Sequence, residues 1–184
     1  PVNISRGRLF CSPVLQSAGD GVSLTFIADV GGSGMPGWSP RLWECTGSDL
    51  DHLSEPVELL AFPVFCGCKW NGKLVYSDAD NVLCVDEEKF QFNGIHQIMR
   101  AVPAGDSILV TLALDVSTFF TVLWNEESLL RVKAGGEDIY KSCLLDGGLC
   151  LHALRGTNGF EDRTVVEDEF TTAPEPTITV TKLP

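Results

Sequence analysis

The chain reads as an all-β protein of antiparallel sheets, a β-sandwich, barrel or partial β-propeller, with an extended C-terminal arm. Three observations lead there. Short runs rich in β-branched, aromatic and aliphatic residues recur along the chain, with clusters of Gly, Pro, Asn and Asp between them. No segment sustains a helical apolar period with capping residues at both ends. At 44% hydrophobic and 21% charged over 184 residues, the chain can bury a real core and is not a disordered polymer. Short, frequent strands with turn signals build such a core by stacking or closing sheets.

Leu9-Phe10-Cys11 leads into a turn, and Val22 to Ala28 alternates as a strand. The glycine-rich stretch Gly31 to Gly37 is the longest that excludes regular structure. Arg41 to Cys45 is a strand. Val57 to Cys66 is strongly apolar, and Pro63 marks an edge, bend or loop within it. Ser48 to Leu53 is the best candidate for a short helical turn, with Ser48 or Asp49 as the cap. Lys73 to Tyr76, Val82 to Val85 and Ile95 to Val102 follow as further β segments. Ile108 to Leu114 has the continuous apolar run of a fully buried strand. Phe119 to Trp124, a tight turn at Asn125-Glu126-Glu127 and Ser128 to Val132 form a hairpin pattern, and Leu149 to Leu154 is another strand.

Residues 1–160 read as one β domain, and residues 161–184 as an acidic, proline-rich linker with a terminal strand. Thr171 to Pro176 has linker composition, and Thr177 to Thr181 then alternates β-branched residues. Two destinations are open to that strand. It returns to close its own domain, or it acts as an arm on a neighbour's sheet edge through Ile178 and Val180. Leu9, Leu42, Leu74 and Leu109 recur in similar short segments at steps of about 32 to 35 residues, near the low end of propeller-blade periods. Strand spacing in any all-β chain gives a similar count, and no blade signature accompanies it.

The formal net charge is −12, a field that repels phosphate backbones and anionic lipid, so neither nucleic acid nor membrane is an expected partner. Basic partners and other copies of the chain are compatible with it. No run approaches the ~18 apolar residues of a spanning helix, and the opening residues lack the apolar stretch of a signal peptide. A soluble protein is expected.

Seven cysteines are many for such a chain: Cys11, Cys45, Cys66, Cys68, Cys84, Cys143 and Cys150. The only close pair is Cys66-Gly67-Cys68, and His52, His96 and His152 are scattered, so zinc-knuckle spacing is missing. Buried thiols acting as small hydrophobes are one reading. The other is disulfides within or between subunits, with Cys66, Cys68, Cys11 and Cys45 as candidate disulfide or interface residues, since Cys66 and Cys68 share one face of a strand.

No cofactor or metal is expected, and no catalytic residue is assigned. Carboxylates such as Asp78, Asp80, Asp86, Glu87 and Glu88 are plentiful, but a glycosidase needs two facing each other across a cleft, which sequence does not reveal. Asp78-Ala79-Asp80-Asn81 lacks the glycine and terminal glutamate of a calcium loop and is read as a turn. Nucleophile-elbow, phosphate-loop and dinucleotide fingerprints are missing as well. Among the four tryptophans, Trp38 sits in the Gly/Pro-rich stretch, where it is a candidate ring for stacking on a sugar.

The stretch Asn71-Gly72-Lys73-Leu74-Val75-Tyr76-Ser77-Asp78, with Phe90-Gln91-Phe92 and then Ile95 to Val110, resembles blade segments of β-rich virion proteins of tailed bacteriophages. The resemblance covers about forty residues of the chain. It implies a particle component: a non-enzymatic capsid-decoration, neck or tail subunit that contacts copies of itself or other virion proteins and is located in the virion after assembly in the host cytoplasm. The chain departs from that pattern in being short for a full propeller and rich in cysteine. A carbohydrate-binding β module is the alternative.

Overall fold

The computed structural model describes residues 8–9, 13–29, 39–116, 118–134, 136–145, 148–153, 163–165 and 170–184. Among these residues the protein is all-β, and every paired strand is antiparallel.

The first sheet holds β1 (Arg8–Leu9), β2 (Val14–Ala18), β3 (Gly21–Asp29), β4 (Arg41–Gly47) and β5 (Val57–Glu58). β1 and β2 both pair with β3, β4 pairs with it along Val22 to Ala28, and β5 ends the sheet beyond β4. The second sheet is a meander of β6 (Cys66–Trp70), β7 (Lys73–Ala79), β8 (Val82–Val85) and β9 (Glu88–Asn93), joined at the β9 side by β18 (Thr179–Lys182). The third runs through β10 (Gln97–Ala104), β11 (Ser107–Ala113), β12 (Phe119–Asn125), β13 (Ser128–Ala134), β14 (Glu137–Leu145), β15 (Gly148–Ala153) and β16 (Arg163–Val165). β17 (Phe170–Pro174) pairs with β13. This sheet curls into a half-barrel.

Local chemistry sets the turns. Asn71 and Gly72 both have positive φ (49° and 78°), the backbone a tight two-residue hairpin requires between β6 and β7. Asn125 Oδ1 accepts hydrogen bonds from the amides of Glu127 and Ser128 at 3.0 and 2.8 Å, closing the β12–β13 hairpin. Pro103 sits on β10, an edge strand, where a missing amide donor is tolerated. The Ser48–Leu53 segment is a turn rather than helix. Asp49 Oδ1 accepts from the amides of Asp51 and His52, so the expected cap forms but no helix follows.

The main core lies where the second and third sheets meet. Cys66, Cys68, Val75, Leu83, Phe90 and Phe92 pack with Ile98, Ile108, Leu112, Phe120, Val122 and Trp124. Trp124 meets Phe90 and Phe92 edge-to-face, at 4.8 and 5.6 Å between centroids. β11 is buried from Ile108 to Ala113, as its apolar run predicts. The first sheet has two apolar faces: Ile27 and Leu42 join the main core, while Phe26, Ala28 and Cys45 form a small cluster with Leu24, Trp43 and Leu53. Gly67 permits the close approach of the first two sheets, since a Cβ there would stand 2.8 Å from Leu42 Cδ2.

Two expectations change here. The Leu-spaced repeat does not mark blades: Leu9 lies on an outer strand of the first sheet, Leu42 and Leu74 inside the first and second, Leu109 inside the third. Five-, eight- and five-stranded sheets put the chain with sandwiches and barrels. The linker composition at 171–176 is largely strand as well. β-branched Thr171 and Thr172 pair with Lys133 and Val132, so β-propensity and a partner edge override the prolines. Of the two destinations for the terminal strand, the structure shows return to the same chain: Val180 pairs with Phe92, and Ile178 is buried at 4% exposure in the main core.

Candidate functional surface

Residues 53–64 run along the outer side of β4. Leu53 bridges Gly47, and the Ser54 amide donates to Thr46 O at 2.8 Å. Val57 and Glu58 face Glu44 and Trp43, and the amides of Leu59 and Val64 donate to Leu42 O and Pro40 O, each at 2.9 Å. Arg41 holds Glu58 through Nη1, 2.8 Å from Oε1 and 3.0 Å from Oε2. Pro56 and Pro63 keep this rail from becoming a longer regular strand. It carries Val57 and Phe62 at 59% and 39% exposure, and the preceding turn exposes Leu50. Exposed large apolar side chains on the last strand of a sheet (Val57) and on the bend and turn that flank it (Phe62, Leu50) form a surface suited to contact with another molecule.

Beside the rail lies an open groove of about 650 Å³, lined by Leu60, Lys73, Leu74, Tyr76, Val85, Asp86, Glu87 and Glu88. Its aromatic wall is braced from the rail, because Phe62 meets Tyr76 edge-to-face at 5.6 Å. The acidic wall is the β8–β9 turn, where Asp86 adopts φ 52°, a conformation Asp tolerates better than most residues. That turn is clipped to β7: the Asp86 amide donates to Leu74 O, and Asp86 Oδ1 accepts from the Leu74 amide, both at 2.8 Å. Glu88 pairs with Lys182 of the terminal strand, and the hydrogen bond from Lys182 holds the Glu88 carboxyl below its ordinary pKa.

The neutral groups around the groove stay neutral. Burial, then the neighbouring Cys84, pushes the Tyr76 hydroxyl up to about 12. Burial, then Asp78, raises the Cys84 thiol, which donates weakly to Asp78 Oδ1 at 3.8 Å. A buried thiol with a raised pKa is a poor nucleophile. The surface therefore offers an apolar floor, two aromatic rings and fixed carboxylates, which is recognition chemistry.

The residues singled out from sequence lie elsewhere. Cys45, Cys66 and Cys68 are buried in the two apolar clusters, and no disulfide joins them or Cys84. Their side chains fill core volume as small apolar groups. Cys143 and Cys150 stand opposite each other in the backbone register of β14 and β15. Cys11 and Trp38 fall outside the described residues. Among the described residues, no group of three or more His, Cys, Asp or Glu side chains is placed to hold a metal ion, and no helix is long and apolar enough to cross a membrane.

The acids at 86–88 stand out in the sequence, whereas the rail and the placement of Tyr76 carry no local motif. The one signal for them was Pro63 interrupting an apolar run, which marks apolar residues that no regular strand buries. No family model, curated protein or solved structure matches the chain.

Proposed function

We propose that the protein is a non-enzymatic structural or assembly subunit, a virion component of the tailed-bacteriophage kind, acting through contacts with copies of itself or with other particle proteins. The observation that carries this reading is the exposed rail: Val57 and Phe62 stand on a sheet-ending segment that is continuous with an apolar-floored groove. An apolar row on an open sheet edge is a liability for a solitary molecule and an asset for a subunit that has a partner to cover it.

Native mass spectrometry of the purified chain, with and without reductant, tests the reading. A defined oligomer that survives reductant is expected, because the rail's exposed side chains are apolar and carry no thiol. Val57→Asp and Phe62→Ser should dissociate it while the far-ultraviolet circular dichroism of the β fold is kept, with a modest fall in melting temperature from the lost Phe62–Tyr76 contact, the new charge opposite Glu44 and the lost partner. An oligomer indifferent to both substitutions would move the interface away from the rail.

A further inference from the structure

We infer that the groove beside the rail is a docking site for an extended basic segment of a different protein, one that alternates arginine or lysine with apolar residues. The inference rests on the assembly reading and names the chemistry of the partner at that surface.

The lining sorts into two halves. Leu60, Leu74, Val85 and the Tyr76 ring make an apolar floor. Asp86, Glu87 and Glu88 set three carboxylates against two ammonium groups, Lys73 in the lining and Lys182 on Glu88, which leaves the rim acidic at Asp86 and Glu87. Two of the three acids are already tied into the fold, Asp86 to the Leu74 amide and Glu88 to Lys182. Glu87 is exposed at the tip of the turn, so it has no such duty. A guanidinium or ammonium on an apolar stem matches both halves: the stem lies on the floor, the charge meets the carboxylates, and an aromatic face stands close by.

Charge also selects the source of that segment. At this rim a second copy of the acidic chain is disfavoured wherever its acids would face Asp86 and Glu87, whereas the rail's Val57 and Phe62 offer a copy an uncharged contact. An anionic ligand meets the same repulsion. A heterologous basic chain is drawn to it. An extended chain sets successive side chains on opposite sides and alternate ones on the same side, so its apolar and basic residues can meet the two halves of the lining in turn.

The test uses the full chain and a fluorescent hexapeptide alternating arginine and leucine, with a glutamine–leucine peptide as control. Binding is read by fluorescence anisotropy and located by amide chemical shifts. Binding of the arginine peptide should weaken with added salt and shift the amides of Leu60, Tyr76 and Val85 to Glu88. Glu87→Lys should weaken it by about tenfold or more. Asp20→Lys, the same charge change at an exposed turn elsewhere, should alter it by less than about twofold. Equal loss in both variants, equal binding of the two peptides, shifts outside the groove, or no binding overturns the inference.

Sedimentation of the same samples without peptide separates this result from the assembly reading. Rail-dependent oligomers without peptide binding overturn the groove alone. Peptide binding at the groove by a chain that shows no rail-dependent assembly supports the groove and counts against assembly between copies.

Discussion

Glu175 shows how one side chain anchors a terminus. Its carboxylate is nearly buried, with the side chain 3% exposed. It accepts from the Thr177 amide at 3.0 Å and from Arg131 Nη1 at 3.1 Å, and the Thr177 hydroxyl donates to it as well. Arg131 in turn pairs with Asp138 at 2.7 Å and lies 4.2 Å from the centre of the Phe120 ring. Burial alone would raise the Glu175 pKa, but the hydrogen bonds from Thr177, then those from Arg131, outweigh it and the net shift is downward. A carboxyl depressed in the folded state stabilises fully above its unfolded pKa of about 4.3, and that contribution is lost as pH falls through the folded value. Glu175→Ala should cost about 1–3 kcal/mol at pH 7, since it takes the acceptor from Arg131 Nη1 and from both Thr177 donors while Asp138 still holds the rest of the guanidinium. Thermal melts of both proteins across pH 3 to 7 check this, and the gap between them should narrow on the acid side. The Lys182–Glu88 pair is far more exposed, and its loss should matter little to stability.

At the scale of elements, the terminal strand β18 is the most informative. It lies on β9 from Thr179 to Lys182, Asn93 Nδ2 donates to Thr179 O at 3.3 Å, and Ile178 fills a place in the core. A chain ending before Thr177 should lose about 3–5 kcal/mol, through the emptied Ile178 site and the missing ladder bonds. It should also aggregate through the bared β9 edge. Denaturant melts and light scattering read the two effects separately. Strand identity was legible in the sequence wherever alternation or a continuous apolar run was strong, as in Ile108 to Leu114 and Phe119 to Val132. The pairing of β17 with β13 was not. Thr171 to Pro176 carries linker composition, and only a distant edge turns it into a strand. The rail was hidden for a related reason: whether an apolar residue such as Val57 or Phe62 faces the core or solvent depends on which strand lies beside it. The groove joins residues from three separated stretches, so no local pattern encodes it.

At the scale of the whole molecule, the four cysteines whose side chains are described, Cys45, Cys66, Cys68 and Cys84, are all buried, and burial heads the causes that raise the thiols of Cys45 and Cys84. A thiol reagent such as Ellman's should therefore titrate no more than the other three of the seven in the native protein, and all seven after reduction and denaturation. More than three fast-reacting thiols in the native state would place at least one of these four at the surface. The placement of β18 also bears on synthesis. Asn93 and Thr179, neighbours in the finished sheet, are 86 residues apart along the chain. At about 5–20 residues per second, roughly 4–17 seconds pass between the emergence of β9 from the ribosome and that of the strand that covers it. For that interval the growing polypeptide carries four of that sheet's five strands with the β9 edge open, so the step most exposed to misassembly in a crowded cell is the wait for the strand that closes it.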